Sequence, residues 1–560
     1  MSKNRFIKMT IFKSKLPTVT IDERPVGAQI LDAIWKHSIE NPSKKAMINA
    51  KDESDYVTYR QMYLHIQSYA AFLNQIGFGH DDVTCLVTKN RWEYPVVLTG
   101  TLMVGGVVSA GSYAFTDWEL TRQFVDCGAS LVVCEHDILS KVLIAVKKAP
   151  KVKKVVVLGG KTAPGKVGDV RVYNLVDVIK QEPSQRLPKV NWRVKKDLAL
   201  IPYSSGTTGA PKGVMISHYN LSAMRNIFHT FVETCVYRSI SPDYDPKNEA
   251  LLLVLPFYHA YGCLLMLDCI FTGGTYLVMG SFEPEVFCAQ IQKYRIQLVH
   301  VVPPMVVFMA KSPVVDRYDL SSVKWVGSGA APLGQDLSDE LMKRLPNIRG
   351  VYQGYGMTEI TMASHLMDPL LAKGQKMTSI GALISNNEAI VVDPKTNKKL
   401  GPNQQGEICV KSPTIMLGYL HKMHATTATI DQEGWLHTGD IGYADEDGHF
   451  FVVDRLKELI KVKGFQVPPA ELEDLLLSHP LIADAAVIGV RNQKSGELPK
   501  AFIVRRNKTL TASEVQKFVA DKTAHYKHLK GGVEFIDEIP RSPSGKILRK
   551  HLRDMPKSKL

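Results

Sequence analysis

Short apolar runs alternate with helical patterns along most of the chain. Apolar residues at helical spacing mark segments such as 120–125 and 286–294. Runs with the length of strands lie between such segments, at 84–88, 131–134, 155–158, 251–255, 276–279 and 298–302. Strand, helix and strand in this order predict an α/β fold with parallel sheets covered by helices. Ligands bind such sheets at the carboxyl ends of the strands, so the loops after Tyr203, Leu255 and Gly350 are expected to meet there.

The chain has 560 residues, which is too long for one ordinary hydrophobic core and favours several subdomains. A boundary near residue 454 is predicted, with a large domain over 1–454 and a small one over 455–560. Within the small domain, the capping box Thr511-Ala512-Ser513-Glu514 opens a helix through Lys522. A further helix and three strands are predicted there, at 472–477, 485–490, 501–505 and 534–536.

Composition places the chain among ordinary globular proteins, with 45% hydrophobic and 22% charged residues. A net charge of +14 is often a sign of nucleic-acid binding. Here no basic stripe is interleaved with aromatic residues, and lysines and arginines gather after position 450. A small polyanion such as a nucleotide explains these charges equally well, so no nucleic-acid partner is expected.

Eight cysteines are spread along the chain, none of them in a C-x-x-C motif. Most lie in apolar runs, which is typical of reduced and buried thiols. The first 18 residues lack the apolar centre of a signal peptide. No transmembrane segment is expected either, because the best candidate, 251–271, is interrupted by Pro256, His259, Gly262 and Asp268.

The chain ends in Ser558-Lys559-Leu560, the tripeptide that directs proteins into peroxisomes. Any given three-residue ending arises by chance in about one of 8,000 chains, so coincidence with this motif is rare. The alternative is an ordinary frayed terminus. We expect the peroxisomal matrix as the location and the peroxisomal import receptor as a partner.

A glycine-rich loop follows the apolar run 198–203. Its ten residues contain four hydroxyls, three glycines and one lysine: Ser204-Ser205-Gly206-Thr207-Thr208-Gly209-Ala210-Pro211-Lys212-Gly213. Glycines let backbone N–H groups converge, hydroxyls add donors, and Lys212 adds a positive charge, which together suit a polyphosphate. The loop differs from the common G-x-x-x-x-G-K-[ST] pattern, because Gly213 stands where a magnesium-binding hydroxyl would follow the lysine. A flexible surface loop is the alternative.

Three clusters with chemical potential lie beyond this loop. In 256–262, His259 lies between aromatic residues, either as a core residue or as the wall of a pocket for a bulky acid. The small residues of 327–333 form a plain turn or let a flat ring approach the backbone. The run 352–359 offers aromatic rings, glycines, a hydroxyl and the carboxylate of Glu359. Carboxylates are the usual protein partners of magnesium bound to substrate phosphates.

Polar and basic motifs continue towards the C-terminus. Asp440 has the carboxylate that suits the two hydroxyls of a ribose, and Arg455 adds a cation. Basic runs lie at 457–466 and 540–546. Each of these runs alone is more typical of a solvated surface, but a Ser-Gly turn presents Lys546 as a single projecting charge.

Together and in this order, the motifs closely resemble the adenylate-forming superfamily, most of all its branch of 4-coumarate–CoA ligases and insect luciferases. The resemblance covers the chain from about residue 25 to its end. It implies a large N-terminal domain of two α/β subdomains plus a β-barrel, and a small mobile α+β C-terminal domain. It also implies an AMP-forming acyl-CoA synthetase that uses ATP, Mg²⁺ and CoA to activate a fatty, aromatic or conjugated acid.

The resemblance carries a role to each matching residue. Catalysis is assigned to Lys546, Lys461, His259, Thr358 and Glu359, and the metal to Glu359. The nucleotide and CoA are assigned to Ser204, Ser205, Gly206, Thr207, Thr208, Gly209, Lys212, Ala331, Gln353, Gly354, Tyr355, Thr358, Asp440, Arg455, Lys457, Lys463, Gly464 and Lys546. The acyl pocket is assigned to His259, Tyr261, Gly354 and Ala363.

Within this set, Lys546 would neutralise charge on the α-phosphate during adenylation, and Lys461 would serve at the adenylate. Lys457 falls at the hinge position, while Lys463 and Gly464 would face CoA. Two lysines on opposite sides of a hinge suggest that the small domain turns between the half-reactions.

The chain departs from the family pattern in two places. The segment 235–248 looks like an insertion ahead of the His259 motif, and Ser281 replaces a lysine that helps hold CoA in the plant ligases. Two alternatives to a CoA ligase stay open. One is a luciferase-type monooxygenase that oxidises its adenylated acid, and the other is a catalytically silent protein that binds a nucleotide or an acyl group.

Overall fold

The structure is a computed structural model that describes residues 11–160, 165–181, 189–204, 211–331, 333–370, 379–455, 458–462, 465–492, 495–523, 525–541 and 547–555. Up to residue 204, its strands are β1 (Phe12–Lys13), β2 (Lys45–Asn49), β3 (Tyr56–Thr58), β4 (Val83–Val87), β5 (Val107–Gly111), β6 (Leu131–Glu135), β7 (Lys154–Leu158), β8 (Gly165–Val167), β9 (Val170–Asn174), β10 (Leu198–Leu200) and β11 (Tyr203–Ser204). The helices of this part are α1 (Val26–Glu40), α2 (Tyr59–Gln75), α3 (Glu93–Met103), α4 (Asp117–Asp126), α5 (Leu139–Val146) and α6 (Leu175–Val178).

The next part of the chain, up to residue 370, alternates strands and helices. Its strands are β12 (Lys212–Ser217), β13 (Ala250–Leu253), β14 (Thr275–Val278), β15 (Leu298–Val301), β16 (Trp325–Ser328), β17 (Gly350–Tyr355) and β18 (His365–Leu366). Its helices are α7 (His218–Phe231), α8 (Arg238–Ile240), α9 (Ala260–Thr272), α10 (Pro284–Tyr294), α11 (Pro303–Lys311) and α12 (Gln335–Arg344). A π-helical turn, Val232–Tyr237, joins α7 to α8.

Strands predominate in the remainder. Before residue 456 these are β19 (Gly381–Leu383), β20 (Glu388–Val392), β21 (Gly406–Lys411), β22 (Gly418–Tyr419), β23 (Leu436–Ala444) and β24 (His449–Arg455), with one helix, α13 (Met423–Thr427). After it come β25 (Ile460–Val462), β26 (Phe465–Val467), α14 (Pro469–Leu477), β27 (Ile482–Asn492), β28 (Gly496–Arg505), α15 (Ala512–Ala520), β29 (Gly532–Phe535) and α16 (Arg549–Asp554).

The first sheet confirms the predicted parallel arrangement. Its strand order is β11–β12–β10–β5–β4–β6–β7–β9–β8, and the strands from β10 to β9 in this order run parallel. β4 and β6 are buried along their whole length. Strands that are covered on both faces have this continuous apolar character. β22 pairs with β12 and so brings a distant part of the chain beside Lys212.

Two further sheets precede residue 456. One has the order β13–β14–β2–β3, and the other has ten strands in the order β1–β20–β21–β23–β24–β19–β18–β17–β16–β15. β15, β16 and β17 are parallel, and the remaining neighbours are antiparallel. The expected barrel requires a correction, because pairing among the described strands does not close. The short strands β18 and β19 instead join the antiparallel strands to the edge of β17 as one open sheet.

The C-terminal part has its own five-stranded sheet, ordered β26–β25–β28–β27 with β29 parallel to β28. A separate hydrophobic cluster, which includes Leu472 and Val515, fills the space beneath its helices. The predicted capping box is present, with Glu514 N donating to Thr511 Oγ1 at 3.3 Å. The domain boundary near 454 stays a prediction, although the described strands on its two sides belong to different sheets.

The apolar stretch 251–271 forms most of β13, a connecting loop and most of α9. Within the described ranges, no helix combines the length and the apolar character that a membrane crossing requires. All eight cysteines are buried, and none of them forms a disulfide, as their apolar surroundings predicted.

Candidate active site

A mostly apolar cavity lies at the carboxyl ends of β16 and β17. The four predicted acyl-pocket residues all line it, namely His259, Tyr261, Gly354 and Ala363. The loop after Leu255 therefore reaches this site as predicted. The expected loop after Gly350 requires a correction, because Gly350 begins β17, and the end of that strand with the turn after it lines the cavity. β11, which precedes the glycine-rich loop, lies beside the 3₁₀ turn Thr358–Ile360.

His259 and Tyr261 reach the cavity from the start of α9. The His259 side chain accepts a hydrogen bond from Tyr261 N at 3.5 Å and so caps the helix. The Tyr261 hydroxyl lies 3.1 Å from His300 Nδ1 on β15. Phe228, Val232 and Leu264 add an apolar wall opposite these polar groups. The cavity thus suits an acid with an apolar body.

Tyr419 connects two predicted phosphate-site residues. Its hydroxyl donates to Glu359 Oε1 at 2.8 Å, and Lys212 Nζ lies 4.7 Å from the centre of its ring. This arrangement arises because β22 pairs with β12, and Met416 N also donates to Glu359 O at 2.9 Å. Burial and the Glu359 carboxylate raise the pKa of Tyr419. The phenol therefore stays protonated and able to donate.

Glu359 fits the expected metal ligand. Its side chain is buried, with an exposure of 6%, and only one carboxylate oxygen accepts a hydrogen bond from the described residues. A hard carboxylate oxygen of this kind is what Mg²⁺ prefers. Thr358 precedes it and lines the cavity mouth. Lys212, Thr358 and Glu359 thus gather beside the acyl cavity.

The expected nucleoside residues lie at the end of β17 and in the middle of β23. The Tyr355 hydroxyl donates to Asp440 Oδ2 at 2.6 Å, so the ring and the carboxylate form one unit. Asp440 pairs in register with Arg455 on β24. The Gln353 amide donates to Leu333 O and accepts from Leu333 N, at 3.2 and 3.0 Å. Gln353 therefore holds the loop after β16, in which Ala331 lies, against β17.

Several predicted residues lie outside the described ranges: Ser205, Gly206, Thr207, Thr208, Gly209, Lys457, Lys463, Gly464 and Lys546. Ser204 ends β11, and the backbone of Arg455 ends β24. Lys461 is exposed on β25, where its backbone N–H donates to Glu497 Oε2 at 2.9 Å, and it does not line the cavity. The roles of these residues remain predictions.

The sequence analysis did not single out Tyr419, His300 or Val236, although Tyr419 contacts Glu359 and the other two line the cavity. Tyr419 lies in a short run without any polar motif, so only the pairing of β22 with β12 reveals it. Val236 belongs to the π-helical turn that enters the predicted insertion 235–248. That unusual segment was the one available signal, since π-turns often occur at functional sites.

Comparisons with known proteins identify the family of the chain. Residues 34–420 match the AMP-binding enzyme family, and residues 471–546 match its C-terminal domain. The chain is 38% identical over 569 residues to probable 4-coumarate–CoA ligase 1 of Dictyostelium discoideum, covering 98% of each protein. It is 40% identical over 561 residues to 4-coumarate:CoA ligase 1 of Petunia hybrida, covering 97% of this chain and 96% of the relative.

Solved structures show the same fold. ATP-bound MatB from Rhodopseudomonas palustris is 26% identical, with a TM-score of 0.79 and coverage of 94% of this chain and 98% of that one. The anthranilate–CoA ligase AuaEII in complex with anthranoyl-AMP has a TM-score of 0.81 at 21% identity, covering 96% and 97% of the two chains. The chain therefore belongs to the AMP-binding enzyme family, within the adenylate-forming superfamily that its motifs resemble.

Proposed function

We infer that this protein is an ATP-dependent acyl-CoA synthetase, an AMP-forming acid–thiol ligase. The observation that carries this inference is the position of Lys212, Thr358 and Glu359 beside an apolar cavity. An acid whose apolar body occupies this cavity would have its carboxylate close to these three groups. Both the relatives named as CoA ligases and the two matched family domains support the assignment.

The reaction has two displacements. A carboxylate oxygen of the acid attacks the α-phosphorus of ATP, the bond from that phosphorus to the bridging oxygen breaks, and pyrophosphate leaves. The thiolate of CoA, after loss of its proton to solvent, then attacks the acyl carbon, and AMP leaves. The first step brings two anions together, so positive charge at the developing oxyanions lowers its barrier. Mg²⁺ held by Glu359 would supply part of that charge.

For the acid, we propose an aromatic, conjugated or fatty carboxylic acid. The apolar wall formed by Phe228, Val232 and Leu264 favours an apolar body. The names of the relatives favour an aromatic acid among these classes. Pyrophosphate release across a panel of carboxylic acids, followed by mass spectrometry of the thioester, tests the proposal. If no acid in the panel leads to pyrophosphate release, a catalytically silent binding protein is favoured instead.

The same assay separates a ligase from a luciferase-type monooxygenase. A ligase forms the thioester without taking up oxygen or emitting light. Oxygen uptake that depends on ATP and the acid, with no thioester formed, would overturn the ligase assignment.

For the location, we propose the peroxisomal matrix. The support is the terminal tripeptide Ser558-Lys559-Leu560, which has the sequence that the peroxisomal import receptor recognises. A fluorescent protein fused ahead of residue 1 leaves this terminus free. The full chain should give puncta that contain a peroxisomal marker, and removal of residues 558–560 should give a diffuse signal. Puncta that persist after this removal would contradict the proposal.

A further inference from the structure

Three side chains of the kinds that bind metal ions meet between β21 and β23. Glu407 and Cys409 lie on β21, and Cys409 pairs in register with His437 on β23. The register of this pairing shifts between Glu407 and Cys409, and an irregularity of this kind re-aims side chains. One donor atom from each of the three residues lies within 4.8 Å of the other two. None of the three lines the acyl cavity, so the cluster is separate from the site described above.

The distances between the donor atoms suit a tetrahedral metal ion. His437 Nδ1 lies 3.4 Å from Cys409 Sγ and 2.9 Å from Glu407 Oε2. Zinc bonds of about 2.3 Å to sulfur and about 2.1 Å to nitrogen or oxygen, at tetrahedral angles, place these pairs about 3.6 and about 3.4 Å apart. Only small rotations of the side chains therefore separate the present arrangement from one that encloses an ion.

Two of the three side chains already have the outer partners that metal ligands usually have. When His437 binds a metal through Nδ1, its proton is on Nε2, and Asp431 Oδ2 lies 3.6 Å from that nitrogen. The backbone N–H of Trp435 donates to Asp431 Oδ1 at 2.9 Å and holds this carboxylate in place. Glu407 Oε1 accepts from Gly439 N at 2.9 Å, while Glu407 Oε2 faces His437. Such partners fix the tautomer and the orientation of the ligands.

An ion pair and a reactive thiol are the two alternatives to a metal site. An ion pair between His437 and Glu407 explains the contact of these two residues, but it does not explain the sulfur beside the same ring nitrogen. Cys409 is fully buried, so no substrate from outside reaches it as a nucleophile. The side chains of His437 and Glu407 are 23% and 12% exposed, which gives a small ion a path from solvent.

We propose that Glu407, Cys409 and His437 bind one Zn²⁺ ion. One sulfur, one nitrogen and one carboxylate oxygen form a donor set that zinc favours, whereas Mg²⁺ prefers oxygen alone. On binding, the Cys409 thiol loses its proton to solvent, and the proton of the neutral His437 ring resides on Nε2. The three new bonds replace waters of the hydrated ion, and one water keeps the fourth position.

The ion would connect the strand that carries Asp440 to its neighbour. His437 and Asp440 lie three residues apart on β23, and Gly439 between them has a positive φ of 72°. Bonds from one ion to β21 and β23 add to the pairing of these strands at the base of this turn. Because the ion binds the folded chain, zinc should raise its melting temperature.

The first test is Co²⁺ binding to the full chain in the presence of excess Mg²⁺. A bond from Co²⁺ to a thiolate gives a strong charge-transfer absorption that carboxylates and imidazoles do not produce. The wild type should develop this absorption until one Co²⁺ is bound per chain, and Zn²⁺ should abolish it. Cys409→Ser should lack the absorption. Cys288→Ser, which changes a buried cysteine on α10, is the matched control and should retain it.

The second test measures the affinity for Zn²⁺ by competition with a chromophoric chelator. Glu407→Gln and His437→Gln should each weaken binding by at least about tenfold, because each removes a ligand. Asp431→Asn should weaken binding by about 10- to 100-fold and keep the cobalt–thiolate absorption, since all three ligands remain. Zinc should raise the melting temperature of the wild type and leave that of Cys409→Ser unchanged.

A folded wild type without the charge-transfer absorption, or an absorption that survives Cys409→Ser, would overturn the zinc site. Circular dichroism identifies a variant that fails to fold. If Cys409→Ser is such a variant, His437→Gln takes its place, and wild-type zinc affinity in His437→Gln would contradict the proposal. Neither test uses pyrophosphate release, so the zinc site and the proposed function stand or fail independently.

Discussion

The Tyr419 hydroxyl donates a 2.8 Å hydrogen bond to Glu359 Oε1. Tyr419 lies on β22, and Glu359 lies in the 3₁₀ turn Thr358–Ile360. The ring of Tyr419 also lies under the ammonium group of Lys212. One buried side chain therefore sets the distance between the expected metal ligand and the expected phosphate lysine. Its position depends on the pairing of β22 with β12.

Replacing Tyr419 by phenylalanine should lower kcat/KM for pyrophosphate release by about tenfold or more. A hydrogen bond to a charged group contributes about 1.5–3 kcal/mol, and about 1.4 kcal/mol corresponds to tenfold in rate. The variant should also need more Mg²⁺, because Glu359 loses its fixed orientation. Tyr63→Phe on α2 is the control. An unchanged Mg²⁺ requirement would contradict a positioning role for Tyr419.

Asp440→Asn should raise the KM for ATP about tenfold and leave the KM for CoA little changed. The substitution keeps the size of the side chain but removes the negative charge of the carboxylate, whose Oδ2 accepts the 2.6 Å hydrogen bond from the Tyr355 hydroxyl. Steady-state kinetics with each substrate varied in turn checks this expectation. Asp243→Asn on the exposed surface serves as the control. A rise confined to the KM for CoA would show that Asp440 does not serve the nucleotide.

The two lysines of the C-terminal part should separate the half-reactions. We expect Lys546→Ala to slow acyl-AMP formation about 100-fold or more, because it removes positive charge where the α-phosphate becomes more negative. The same variant should still convert supplied acyl-AMP and CoA to the thioester. Lys461→Ala should show the opposite pattern, and Lys517→Ala on α15 should resemble the wild type. Equal losses in both half-reactions would mean that the roles are wrongly assigned.

Gly356→Ala should destabilise the turn that carries Thr358 and Glu359. A Cβ at Gly356 would lie 1.7 Å from Met362 O and 2.6 Å from Ala363 Cα, so the backbone must move. The turn already contains Thr361 and Met362 at positive φ, and it has little freedom to relax. Activity should fall at least about 100-fold, by analogy with other displaced catalytic groups.

Gly165→Ala is the matched control for this change, since its Cβ would meet no atom within 4 Å. Circular dichroism and thermal melting should show a folded Gly356→Ala protein with a lower melting temperature. Full activity in that variant would show that the turn tolerates a shift of its backbone.

The ion pair between His229 and Asp268 should make stability depend on alkaline pH. Burial alone would lower the pKa of His229, but hydrogen bonds to Asp268 and Glu233 outweigh it and raise the pKa to about 10. The stabilisation is complete below the unfolded pKa of about 6.5 and disappears as pH rises through about 10. The pair joins α7 to α9, two helices that line the acyl cavity.

Melting temperatures of the wild type and of His229→Gln should therefore differ most at pH 6, by about 2 °C or more. The difference should shrink as pH approaches 10. A difference that grows with pH would show that His229 is not held in its charged form by Asp268.

Local sequence patterns were enough to predict much of the fold. The apolar runs at 131–134 and 298–302 became β6 and β15, and the capping box at Thr511 and Glu514 opened α15, because strand and helix formation depend on nearby residues. His259 and Tyr261, which the resemblance assigned to the acyl pocket, both line the cavity from the start of α9, and their role in binding the acid stays a prediction.

What only the tertiary structure decided is the pairing between distant segments. Tyr419 reaches Glu359 across 60 residues of chain, and Tyr352 joins His300 only through the register of β15, β16 and β17. The open course of the mixed sheet likewise depends on which edges meet. Such contacts arise from the packing of whole sheets, so no local pattern of residues specifies them. The order of the sequence motifs and their resemblance to the adenylate-forming superfamily, in contrast, were enough to point to ATP and an organic acid.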